Sequence, residues 1–187
     1  MPDLNNTALN SFKNWTLRIR ESTHPAPRLM LLIHGHTGDE NSLWVFGRDL
    51  PSSYWIVAPR APYAAEPGGY SWRPSQFENM NQLSLDLLRS SAEALIQLVD
   101  EYSASVKIDA KVFDVMGFSQ GGAMSSLLAM IYPRRIGKVG ILTSLISIPP
   151  PTIATTISAR PTRNVRVRID IDMAHPCTTR ISRHNVR

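Results

Sequence analysis

Ser119 stands at the centre of Gly117-Phe118-Ser119-Gln120-Gly121-Gly122, an arrangement that can present a hydroxyl as a nucleophile. The run Val112-Phe113-Asp114-Val115-Met116 before it has the β-branched and aromatic character of a strand. After it, Ala123, Met124, Leu127, Leu128 and Ile131 recur at helical spacing. A strand that turns sharply into a helix at Gly-x-Ser-x-Gly strains the serine backbone and lifts Oγ to the carboxyl end of a sheet. Glycines on either side leave room for strand and helix to approach. The helix start offers unpaired N–H groups to developing negative charge, that of Gln120 first among them. The chemistry would be acyl transfer, with attack on a carbonyl carbon and an oxyanion held by backbone donors. A serine at a helix start has a plainer use as an N-cap, and that use stays open at this point.

A second oxyanion donor should come from the loop after another strand. Leu29-Met30-Leu31-Leu32-Ile33 is a continuous apolar run, as a buried strand requires, and it feeds His34-Gly35-His36-Thr37-Gly38. The His36 N–H is the candidate. The imidazoles of His34 and His36 read as structural or solvent-facing groups, and only the His36 backbone is assigned a role. Tyr70 and Trp72, in Gly68-Gly69-Tyr70-Ser71-Trp72, are candidate apolar walls for an acyl group; simple loop packing accounts for them equally well.

The elements that must position these residues follow from pattern. Trp15 to Arg20 alternates apolar and polar, as an edge strand does; Tyr54 to Ala58 is a further buried strand; and Val139 to Leu142 is another. Asn41 to Leu50 forms a short helix with Trp44 inward. Residues 59 to 79, rich in Pro, Gly and aromatics, form a long ordered loop of the kind that usually carries function. From Ser84 to Tyr102, residues Leu85, Leu88, Ala92, Leu95, Val99 and Tyr102 line one helical face. Strands alternating with helices predict a mostly parallel sheet with helices on both faces.

The 187 residues suit one domain with a sizeable core. No apolar run approaches membrane-spanning length, and Met1 to Asn6 lacks the basic and apolar regions of a signal peptide, so the expected location is cytoplasmic. The lone Cys177 predicts neither an internal disulfide nor a metal site. The net charge of +5 is not spread evenly: through Leu142 there are 13 basic and 13 acidic residues, whereas residues 143–187 carry seven Arg against Asp170 and Asp172. That distribution gives no expectation of nucleic-acid binding by the main body.

Several motifs in register resemble the phospholipase/carboxylesterase family, which includes acyl-protein thioesterases and small bacterial carboxylesterases. They are Leu32-Ile33-His34-Gly35, Gly38-Asp39-Glu40 with Trp44, Ala58-Pro59-Arg60-Ala61-Pro62, Gly68 to Trp72, Gly117 to Gly122, Tyr132-Pro133, and Ile136 to Leu142. The resemblance covers residues 15 to 142. It implies an α/β-hydrolase-type three-layer sandwich and a cofactor-free, metal-free esterase. The implied reaction uses a Ser–His–Asp triad on a small-molecule carboxylic ester or thioester.

Beyond Leu142 the pattern departs from that family, in which an Asp follows the next strand in a context such as G-x-x-D-x-x-V-P and a His follows the last strand in a Gly-His pair. Residues 143–187 contain neither motif, and no Gly, Lys, Glu, Gln, Phe, Tyr or Trp. The expectation is a core over residues 1–142, incomplete at its C-terminal side, followed by an atypical Arg-rich tail over 143–187 that is disordered or non-native. Three accounts of that tail compete: a shifted reading frame or truncated product; a divergent fold with Val165 to Ile169 as a strand, Asp170 or Asp172 as acid and His175 as base; or an Arg-rich segment that binds an anionic partner. Translating the encoding DNA in its other two frames after Leu142 tests the first account. Recovery of the missing Asp and Gly-His motifs is the outcome expected if a frame has shifted, and their absence removes that account.

Overall fold

A computed structural model describes residues 4–74 and 85–143. Strands β1 (Ala8–Phe12), β2 (Trp15–Arg20) and β3 (Arg28–Ile33) lead to a single helical turn, α1 (Trp44–Gly47), and then to β4 (Tyr54–Pro59). A small hairpin of β5 (Tyr63–Ala64) and β6 (Tyr70–Ser71) follows. A 3-10 turn over Leu85–Leu88 opens α2 (Arg89–Val106), and β7 (Phe113–Phe118), α3 (Gln120–Ile131) and β8 (Ile136–Thr143) complete the described chain.

Six strands form one sheet in the order β1-β2-β4-β3-β7-β8. The last four run parallel, while β1 and β2 are antiparallel additions. The fold is therefore the mostly parallel α/β arrangement expected. One detail differs: β2 is not an edge, because β1 pairs along it from Ala8↔Ile19 to Phe12↔Trp15. Residues 8–12 carry no alternating apolar signal, since four of the five are exposed.

The apolar side chains divide into two layers, as the period of a strand demands. Leu29, Leu31 and Ile33 of β3 join Phe113 and Val115 of β7 beneath α2 and α3, with Leu88, Ala92, Leu95, Val99 and Tyr102 facing them as the helical spacing predicts. On the other face Met30 and Leu32 meet Trp44, Ile56 and Ala58. The predicted helix over 41–50 shrinks to Trp44–Gly47. The segment is fixed instead by side chains of β2: Arg18 Nε donates to Asn41 Oδ1 at 2.9 Å, and Arg20 donates to the carbonyls of Gly47, Leu50 and Pro51 at 2.9–3.1 Å. Among the described residues no helix is long and apolar enough to cross a membrane.

At the amino end of the parallel strands lies a buried carboxylate. Asp114 of β7 is 0% exposed and accepts Arg28 Nε and Nη2 at 2.6 Å each, the Tyr54 hydroxyl at 2.9 Å and the Lys138 N–H at 2.8 Å. Arg28, Tyr54 and Lys138 sit on β3, β4 and β8, so one side chain ties four neighbouring strands. The Asp114 hydrogen bonds raise the Arg28 pKa further above its ordinary value, although burial opposes them. Arg28 keeps 42% of its side chain exposed, so the cost of losing the Asp114 charge falls on the hydrogen bonds its two oxygens accept from neighbouring strands. Asp114→Asn is expected to lower unfolding free energy by about 1–3 kcal/mol in urea titration; a loss below about 0.5 kcal/mol would show that the cluster is not a structural tie.

Candidate active site

Ser119 links β7 to α3. Its backbone is at φ 53°, ψ −114°, a left-handed φ that costs a non-glycine residue about 1–3 kcal/mol. The side chain makes no capping hydrogen bond to α3, so the N-cap use left open by the sequence is not adopted. Steric necessity surrounds the turn. A Cβ on Gly117 would lie 2.0 Å from the Gly121 carbonyl oxygen, and one on Gly121 would lie 1.9 Å from that of Ile33. Strand and helix therefore pass backbone to backbone.

The parallel register brings the second loop to the same place. Ile33 of β3 is opposite Gly117 of β7, so the chain leaves both strands side by side at the carboxyl end of the sheet. There a Cβ on Gly35 would meet Ser119 Cβ at 3.3 Å and the Phe118 carbonyl oxygen at 3.2 Å. His36 follows directly, half-buried. Gln120 is the first residue of α3, where a backbone N–H has no partner within the helix. The arrangement thus brings the loop after β3 and the start of α3 together at Ser119.

The histidines differ sharply. His34 is buried, its Nε2 accepts the Ala61 N–H at 3.0 Å, and its Nδ1 lies 2.7 Å from the Gly35 carbonyl oxygen. Those partners require the proton on Nδ1 and use both nitrogens. Burial lowers its pKa below the ordinary histidine value, which keeps the ring neutral. His34 is a strut, not a base. His36 Nδ1 is buried and has no hydrogen-bond partner among the described residues.

Trp72 is 0% exposed, and its indole N–H donates to the His34 carbonyl at 2.9 Å. Its ring packs against that of His34, with centroids 5.2 Å apart. Tyr70 is half-buried; its hydroxyl accepts Arg60 Nη1 at 3.1 Å, and the Arg60 guanidinium lies 4.6 Å from its ring centre. The loop predicted over 59–79 holds the β5–β6 hairpin, whose two-residue strands are too short to show a period. Asp170, Asp172 and His175 lie outside the described residues, as does Cys177.

Sequence reasoning missed two features. One is the buried pair of Glu40 and Arg60, bidentate at 2.7 and 2.8 Å, with Glu40 only 2% exposed. Burial pushes the Glu40 carboxyl up, but the Arg60 hydrogen bonds and charge outweigh it and hold the pKa below 4.5. The other is the Gln120 side chain, which bonds the Trp72 N–H at 2.8 Å. The quoted motifs contain all three residues, but only contacts across the fold reveal their use.

A family model described as Phospholipase/Carboxylesterase matches residues 14–183, a span that continues past Leu142 through most of the Arg-rich segment. No curated protein matches the chain. Among solved structures the chain is similar to a carboxylesterase from Mesorhizobium loti, at 18% identity and a TM-score of 0.64, covering 76% of this chain and 66% of that one. It is also similar to the Bacillus cereus carboxylesterase, at 16% identity and a TM-score of 0.61, covering 74% and 64%. At these identities the likeness is one of fold, and the chain spans about two thirds of either structure's length.

The Glu40–Arg60 pair gives a test of how the 34–40 loop is held. A carboxylate whose folded pKa is depressed stabilises above its unfolded value, and that stability is lost as pH falls through the folded value. Glu40→Gln is expected to be about 2–3 kcal/mol less stable than wild type at pH 7. The gap should narrow progressively below pH 4.5 in denaturant titrations. A gap independent of pH would show that the charge of Glu40 contributes nothing.

Proposed function

We propose that this chain, which belongs to the phospholipase/carboxylesterase family, cleaves small-molecule carboxylic esters or thioesters through an acyl-enzyme on Ser119. The observation that carries the reading is the strained Ser119 backbone, with a hydroxyl that does not cap the helix it precedes. Strain of this kind persists only where surrounding structure over-determines it, and it concentrates at reactive sites.

In this scheme Ser119 Oγ attacks the carbonyl carbon and gives its proton to a general base. The oxyanion sits between the N–H groups of Gln120 and His36. Collapse of the tetrahedral adduct breaks the bond to the alcohol or thiol, which leaves with the proton from the base. Water then attacks the acyl-enzyme by the same route and releases the acid. His175 is the proposed base and Asp170 the acid that orients it. Their support is that the family match runs through both positions and that His34 has no free nitrogen. Tyr70, close to the 34–38 loop through its N–H bond to the Gly38 carbonyl, is the proposed contact for the acyl group. Trp72 would act through packing behind it.

A second reading is favoured by the composition of residues 143–187, which lack a Gly-His pair. In it the chain binds ligand at the elbow and turns over little. A fluorophosphonate probe separates the two. Covalent labelling of the folded protein that disappears in Ser119→Ala is expected, together with a fall in kcat of about 10³-fold or more for His175→Ala. Absence of labelling on folded wild type supports the second reading. Labelling unaffected by His175→Ala removes His175 as the base while leaving the nucleophile intact.

A further inference from the structure

The scheme above uses only the backbone of Gln120, yet its side chain is 5% exposed and bonded at both ends. Oε1 accepts the Trp72 N–H at 2.8 Å, and Nε2 donates to Ser71 Oγ at 3.1 Å. A single amide thus joins the first residue of α3 to the end of β6. Trp72 passes the connection on: its indole N–H donates to the His34 carbonyl at 2.9 Å, while its own carbonyl accepts Ser91 Oγ at 2.7 Å from α2. The same hairpin grips the 34–38 loop at two more points. The Tyr70 N–H donates to the Gly38 carbonyl at 2.9 Å, and Gly69, at φ +78°, packs so close that a Cβ would lie 2.0 Å from the Thr37 carbonyl oxygen.

Two loops from different strands must therefore hold their N–H groups at one fixed separation, and residues 69–72 bridge them. We propose that Gln120 and Trp72 are positioning residues: the path from the Gln120 amide through Trp72 to the His34 carbonyl sets the spacing between the His36 and Gln120 N–H groups. The reason is geometric. Oxyanion donors work at about 2.7–3.1 Å, and displacement by about 1 Å costs on the order of 10²-fold in rate. A glutamine suits the task because one planar group offers an acceptor to a backbone N–H and a donor to a hydroxyl, which fixes orientation as well as distance. An apolar side chain of the same volume would fill the space without fixing either.

The kinetic consequence rests on the reading of Ser119 as nucleophile; the structural consequence does not. Both are measured on the full chain with Gln120→Met, which keeps the volume, and Trp72→Phe, which removes the indole N–H. The reporter is the Gly38 amide, which bonds the Gly35 carbonyl at 3.1 Å. In hydrogen exchange this amide is expected to exchange about tenfold faster in either variant. Amides of β3 and β7 should keep wild-type rates, and so should Gly38 in Ser126→Ala, a variant that removes a hydroxyl of α3 bonded, among the described residues, to the Gly122 carbonyl alone. With a small ester as substrate, kcat should fall about 10- to 100-fold in both variants with little change in KM. Unchanged Gly38 exchange, or acceleration shared equally with the strand amides, overturns the proposal. A wild type that neither turns over nor takes the fluorophosphonate label overturns the nucleophile reading, and the exchange measurement still decides the positioning role.

Discussion

The structure turns on a place where three backbones meet with no side chain between them. The Gly121 carbonyl occupies the space a Cβ on residue 117 would need, and the Ile33 carbonyl does the same to residue 121. Only because these atoms can touch does α3 begin directly above the junction of β3 and β7. Ser119 then has no relaxed conformation available, and its strain is offset by the burial of Ala123, Met124, Leu127 and Leu128 in the core under the helix. Neither the elbow nor the adjoining 34–38 loop would keep its position if residue 117 or 121 carried a side chain.

Strand β3 is held at both ends by a buried carboxylate and an arginine fork. At its amino end Arg28 clasps Asp114; beyond its carboxyl end Glu40 is clasped by Arg60. In each case the carboxylate is almost wholly withdrawn from water, and the arginine keeps part of its surface exposed. This geometry satisfies the carboxylate lone pairs with two parallel donors and limits the desolvation cost on the cationic side. The first clasp fixes strand order and register. The second, with Tyr70 against the same guanidinium, fixes the loop that reaches Ser119. The hairpin of residues 63–71 completes the frame, since it bonds to the 34–38 loop on one side and to Gln120 on the other.

Much of this was legible before any coordinates. The strand–serine–helix sequence, the apolar run into His34-Gly35-His36 and the face of α2 each follow a local period or a motif with a steric reason. What escaped was whatever lacks such a signal. Strand β1 is nearly all exposed and so shows no alternation, and the hairpin strands have two residues each. The Trp72 indole is apolar and aromatic in sequence whether it lines a pocket or fills a core; its burial against His34 is visible only in the folded chain.

By itself, then, the sequence determined the type of fold, the position of Ser119 and the loop that adjoins it. It did so because close backbone approach and buried strands constrain residue type at fixed spacing. Only the tertiary structure decided that Ser119 leaves α3 uncapped, that His34 has both ring nitrogens committed, and that Gln120 spends its side chain on Trp72. The last two depend on hydrogen bonds across the fold, between residues 27 positions apart for His34 and Ala61 and 48 apart for Trp72 and Gln120. A polar side chain carries no mark in sequence of the partner that folding will bring to it.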